Sequence, residues 1–172
     1  METEQKMGNK AESGTVIRNE MQMSFDAISE NEAFARLAVS AFVMPLNPTV
    51  EEISDMKTAV SEAVTNAIIH GYDEEYMQES GREEIGKVHL YCRIEGNTLY
   101  IEVKDTGKGI EDIAQAMEPL FTTRPELERS GMGFAFMEAF MDDLEVESAP
   151  GQGTKVRMIK KIGVGGWIEH QC

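Results

Sequence analysis

The sequence predicts an α+β fold, a two-layer sandwich of one mixed, mostly antiparallel sheet with helices stacked on one face. Three observations predict it. Several short segments alternate apolar and polar residues with the two-residue period of half-buried strands. Longer segments repeat apolar residues every three or four positions, as helices buried on one side do. The order of these segments is β-α-α-β-β-α-α-β-β, with hairpin turns joining the later strands in pairs.

Residues 1–19 are polar and aperiodic and read as a flexible tail, which sets the folded domain at 20–162. The first strand is the alternation Met21, Met23, Phe25, Ala27. Ser29 or Asn31 then caps a helix whose apolar stripe is Phe34, Leu37, Ala38, Ala41 and Phe42, and Pro45 and Pro48 close it. Thr49-Val50-Glu51-Glu52 has the capping-box pattern and opens a second helix that runs to about Gly71. Its buried stripe is Ile53, Met56, Val60, Ala63 or Val64, and Ala67. Residues 73–86 are acidic and polar, a solvated and partly helical loop. Two strands follow, Val88 to Ile94 and Leu99 to Val103, turning at Glu95-Gly96-Asn97. A short helix comes after Ile110, and residues 118–133, with two prolines and two glycines, read as a lid. The next helix carries Phe134, Met137, Phe140 and Met141 on one side. A last hairpin joins Leu144–Ser148 to Thr154–Ile162, and residues 163–172 form a second flexible tail.

Composition sets the class. The chain has 172 residues, 41% apolar and 27% charged, as expected of one globular domain. No apolar run is long enough to span a bilayer and no signal-like pattern opens the chain, so the expected location is the cytoplasm. Cys92 sits in an apolar alternation and Cys172 is the last residue, so no structural disulfide is expected. The formal net charge of −15 argues against direct nucleic-acid binding and favours a basic protein partner, or simply solubility.

Three clusters carry candidate chemistry. On the second helix Glu62, Asn66 and His70 fall at i, i+4 and i+8 and form one polar stripe among apolar neighbours. Such a stripe either faces water, or offers the Asn66 oxygen to Mg²⁺ with Glu62 one turn away as a proton acceptor. Asp105-Thr106-Gly107-Lys108-Gly109 follows a strand directly. It is either an Asp-Gly turn or a carboxylate placed for an exocyclic amine such as that of adenine, with Gly107 and Gly109 allowing close approach. Arg129-Ser130-Gly131-Met132-Gly133-Phe134 opens a helix. It is either a glycine-capped loop or an anion site, which Thr122, Thr123, Arg124 and Arg129 would extend. Gly151 to Thr154 is a hairpin turn. Neither a Walker-type phosphate loop nor a GxGxxG fingerprint is present.

In this order the clusters resemble the boxes of the GHKL ATPase/kinase superfamily. Glu62 to Asn66 is similar to its N box, Asp105 to Gly109 and Arg129 to Gly133 to its two glycine boxes, and Gly151 to Thr154 to its last box. The runs SEAVTNAIIHGY, PLFTTRPELERSGMGF and NEAFARLAVSAFV are similar to the small serine kinases that double as anti-sigma factors. The resemblance covers roughly residues 16–162; the stretches outside it and the long acidic loop 73–86 depart from the pattern. It implies the GHKL (Bergerat) ATP-binding fold, ATP or ADP with Mg²⁺, and the activity of a protein serine/threonine kinase. Glu62 would be general base, Asn66 a Mg²⁺ ligand, and Asp105 the adenine partner supported by Gly107, Gly109 and Thr154. Thr122, Thr123 and Arg129 to Phe134 would hold the phosphates. Arg36 matches the arginine through which the family meets its protein partners. Those partners would be a sigma-F-type factor of RNA polymerase, an anti-anti-sigma protein as kinase substrate, and a second copy in a homodimer. A switch kinase for a sigma-B-type stress factor, or a nucleotide-gated sigma-binding module without turnover, are the alternatives. A histidine-kinase catalytic domain would need an upstream phosphoacceptor histidine, and none precedes His70.

Overall fold

The computed structural model describes residues 17–81, 84–119 and 131–163, and the two predicted tails fall largely outside them. Five strands, β1 (Arg18–Asp26), β2 (Lys87–Glu95), β3 (Thr98–Asp105), β4 (Asp143–Ser148) and β5 (Thr154–Lys161), form one sheet in the order β1-β2-β3-β5-β4. All four pairings are antiparallel, the limiting form of the mixed sheet expected. The helices are α1 (Glu30–Val43), α2 (Val50–Ile69), α3 (Glu74–Glu79), α4 (Ile113–Ala116) and α5 (Gly133–Phe140), with one 3₁₀ turn at Met44–Leu46.

The strands follow their alternation. Val88, Leu90, Cys92 and Ile94 on β2, and Leu99, Ile101 and Val103 on β3, are buried, and the intervening residues face outward. Burial pushes the Cys92 thiol up to about 12, so it is a small apolar core residue rather than a nucleophile. On the outer face Arg157 binds Glu102, Glu145 and Glu147 at 3.1, 2.9 and 2.6 Å. That network occupies the polar side of an antiparallel sheet that is apolar on one face only. β1 starts at Arg18, three residues before the alternation becomes visible at Met21, because pairing with β2 continues to Arg18↔Glu95.

Helix α2 is the centre of the second layer, packing against α1 on one side and α5 on the other. Its start is the predicted capping box: the Glu52 N–H donates to Thr49 Oγ1 (3.1 Å) and the Thr49 N–H to Glu52 Oε2 (2.7 Å). Met56, Val60, Ala63, Val64 and Ala67 are buried as expected, joined by Ala59, while Ile53 is half-buried. The acidic segment after α2 contains α3, capped by Asp73 Oδ1, which accepts the Tyr76 N–H at 2.9 Å. Among the described residues no helix is long and apolar enough to cross a membrane.

Helix α1 corrects the prediction. Its buried residues are Ala35, Val39 and Val43, whereas Phe34 and Leu37 are 54% and 59% exposed. The helix is apolar on two neighbouring faces, and adjacent residues differ by about 100° in direction. The stripe of small and β-branched residues faces the core; Phe34 and Leu37, continued by the exposed Met44, are left outside, while Phe42 of the predicted stripe is half-buried against the core.

These faces have different energetics. Val39→Ala should cost about 2 kcal/mol in urea unfolding, and Leu37→Gln less than about 0.5 kcal/mol. Equal losses would show that α1 is rotated relative to this description.

Candidate functional site

A cavity of about 390 Å³ lies where the C-terminal half of α2, the start of α5 and the ends of β3 and β5 meet. Its volume is that of a small-molecule pocket. Ala63, Val103, Ile110 and Val156 supply apolar wall, and Asn66, Asp105 and Thr154 supply polar groups. Gly109, Gly131, Gly133 and Phe134 also line it, so residues from all three candidate clusters and from the last hairpin share one cavity.

Asp105 is the last residue of β3 and points to the buried side, where only 2% of it remains exposed. Its Oδ1 accepts the N–H groups of Gly107 (2.9 Å) and Thr154 (3.3 Å). Both bonds go to one oxygen, which leaves Oδ2 for a donor in the cavity. Burial pushes this carboxyl from its ordinary value of 3.8 up to about 6, against the pull of those backbone bonds. Two glycines make the arrangement possible. A Cβ on Gly107 would lie 1.9 Å from the Gly71 carbonyl oxygen, and one on Gly153 2.2 Å from that of Asp105. Any side chain there would push the box away from α2 or from β5.

The polar stripe on α2 turns toward the cavity rather than to open water. Asn66 and His70 line it, and Glu62, half-buried one turn earlier, lies with Oε2 3.0 Å from where a Cβ on Gly133 would stand. Met132 is the N-cap position of α5, without a side-chain cap bond, and Gly131 before it has φ +60°. Thr122, Thr123, Arg124, Arg129 and Ser130 lie outside the described residues. Arg36 is away from the cavity on α1, 41% exposed, with Nε 3.6 Å from Glu32 Oε1.

The sequence reading missed two supports. Ser148 Oγ accepts the Ile110 N–H (2.8 Å), donates to the Gly153 carbonyl (2.9 Å) and lies 2.9 Å from Thr154 Oγ1. It thereby ties the glycine box to the last hairpin. Lys108 Nζ pairs with Asp73, which is almost fully buried, linking the same box to the start of α3. A serine at a strand end and an Asp–Lys pair 35 residues apart carry no local sequence signal.

For a divalent cation the donor on α2 is the amide oxygen of Asn66, with the Glu62 carboxylate one turn before it left to accept a proton. Among the described residues no three His, Cys, Asp or Glu side chains gather as metal ligands. Such a sparse, oxygen-only set fits Mg²⁺ delivered with phosphate, because that ion keeps several waters and phosphate oxygens in its shell.

A one-sided antiparallel sheet, a pocket under its helices, and a buried carboxylate at a strand end followed by glycines define a histidine kinase-like ATPase domain, and the family model of that description matches residues 25–160. The fold recurs, at 17% identity and a TM-score of 0.58, in a crystal structure of the RsbU and RsbW domains of a Mycobacterium tuberculosis protein. That match covers 84% of this chain and 32% of the longer one. The chain is 58% identical over 145 residues to the anti-sigma F factor of Thermoanaerobacter sp. (strain X514), covering 84% of this chain and 95% of that protein. It is 55% identical to the anti-sigma F factor of Clostridium botulinum (strain Eklund 17B / Type B), over 87% and 99% of the two chains. With that of Bacillus subtilis (strain 168) the identity is 49%, over 85% and 94%. The chain belongs to the anti-sigma F factor family.

Asp105 gives a pH signature in the nucleotide-free protein. Its folded-state pKa is raised, so the stability associated with its protonated form is complete below 3.8 and is lost as pH rises through about 6. Asp105→Asn removes this pH dependence. The variant's advantage in urea unfolding should be largest at pH 7.5, about 3 kcal/mol at most, and shrink toward pH 4. A pH-independent difference would contradict the shift.

Proposed function

We propose that this chain is an ATP-dependent protein serine kinase that also binds and inhibits a sigma-F-type factor of RNA polymerase, and that its substrate is a serine on a small anti-anti-sigma protein. The observation that carries the reading is the convergence of Asn66, Asp105 and Thr154 on one cavity, with Glu62 one helical turn from Asn66.

In this reading Asp105 Oδ2 accepts a hydrogen bond from the adenine amino group, and the apolar wall of Val103, Ile110 and Val156 takes the ring. The backbone at Gly131 to Phe134, where α5 begins, faces the phosphates, with Thr122, Thr123, Arg129 and Ser130 completing their contacts. Mg²⁺, held by Asn66, would neutralise phosphate charge. The serine oxygen bonds to the γ-phosphorus, the bond from that phosphorus to the β-bridging oxygen breaks, ADP departs, and Glu62 takes the hydroxyl proton. Phosphoryl transfer asks mainly for positioning and charge compensation, which this set supplies.

Arg36 lies on α1 next to the outward stripe of Phe34 and Leu37, a cation beside exposed apolar surface that suits a protein partner. The net charge of −15 favours encounter with basic surfaces. The working unit we propose is a homodimer.

The test is labelled phosphate transfer from Mg-ATP to a spore-former's anti-anti-sigma protein, with sigma binding measured alongside. Phosphoserine should form, and Glu62→Ala should slow its formation about a hundredfold or more while ADP still binds. Unchanged transfer in the variant would remove Glu62 as base. Sigma binding with no labelled product would favour a nucleotide-gated binding module.

A further inference from the structure

Tyr72 lies just beyond α2, outside the wall of the cavity, and its phenol is bonded to the glycine box. The hydroxyl donates to the Lys87 carbonyl (2.7 Å), accepts the Thr106 N–H (2.9 Å) and lies 3.2 Å from Thr106 Oγ1. A phenol has one proton, and Lys87 takes it, so toward Thr106 the oxygen acts as an acceptor. The ring is held as well: a Cβ on Gly86 would stand 2.4 Å from its Cδ1 and Cε1.

Thr106 is the residue between Asp105 and Gly107, whose N–H binds Asp105 Oδ1. The turn that aims the carboxylate is therefore pinned from inside by Asp105 itself and from outside by Tyr72. The Lys108 N–H adds a bond to the Gly71 carbonyl at 2.9 Å, so the box is fastened along the whole segment 71–72. We propose that Tyr72 is a positioning residue for base selection: its phenol oxygen fixes the peptide after Asp105, so that the carboxylate meets the amino edge of an adenine. The proposal rests on the reading of Asp105 as the adenine acceptor.

The bonds of the phenol lie at the exposed surface. When the oxygen is removed, water can serve Thr106 and Lys87, so folding loses little. The cost falls on the precision of the carboxylate, which matters to a ligand with a donor at that edge and hardly to one without it.

The experiment compares the full chain with Tyr72→Phe and Asp105→Asn by calorimetric titration of ADP and of inosine diphosphate, which carries a carbonyl in place of the adenine amino group. Melting without nucleotide is the control. For Tyr72→Phe the expected result is an ADP affinity about tenfold lower, a nearly unchanged affinity for inosine diphosphate, and an unchanged melting temperature. An unaltered ratio of the two affinities would overturn the proposal, as would a parallel fall of both with the melting temperature. Asp105→Asn keeps the two readings apart. If it collapses the ratio and Tyr72→Phe does not, only the role of Tyr72 fails. If it leaves the ratio intact, the adenine reading of Asp105 fails and the proposal with it.

Discussion

The carboxylate of Asp105 is buried at the junction of both layers, and the neighbouring chain is shaped around it. A carboxylate with so little exposure is costly to keep charged, which its pKa of about 6 expresses. The fold offsets part of that cost with two backbone N–H groups, from the turn after β3 and from the start of β5. To bring both within reach, the glycine box must lie directly on the Gly71 carbonyl and the last hairpin directly on Asp105. The end of α2, the edge of β3 and the β4–β5 turn are thus held in one place by one side chain. Both backbone bonds go to Oδ1, and in the proposed function Oδ2 is the oxygen that meets the adenine amino group.

Helix α2 connects this site to the surface of α1. Ser61, beside Glu62, donates its hydroxyl to Glu32 on α1, and Glu32 is also the ionic neighbour of Arg36. On its other side α2 meets α5, whose first residue, Gly133, lies against Glu62 and Asn66. One helix, capped at its N-terminus, therefore carries the proposed chemistry and packs against the proposed partner surface. Its capping box, predicted from Thr49 and Glu52, is further tied down by the Gly163 N–H on Glu52 Oε1 at 2.8 Å.

Much of this was legible because the signals were local. Strand alternation identified the buried residues of β2 and β3, and the order of the motifs anticipated the single cavity that Asn66, Asp105, Gly133 and Thr154 share. The failures have physical causes. In α1 two apolar stripes compete, and sequence period alone does not say whether Phe34 and Leu37 or Ala35 and Val39 meet the core; packing against neighbours decides. Tyr72, Asp73 and Ser148 were invisible because their importance arises from contacts 34 to 38 residues away in sequence. The α3 helix was anticipated only as part of a partly helical, solvated loop, although Asp73 followed by Glu74 and Glu75 is a start signal that places its beginning.

The most direct test of the account is a crystal structure of the chain with ADP and Mg²⁺. The adenine amino group should lie within hydrogen-bonding distance of Asp105 Oδ2, the Asn66 side-chain oxygen on the metal, and the phosphates at the start of α5. An adenine bound with its amino group away from Asp105, or a metal without Asn66, would contradict it.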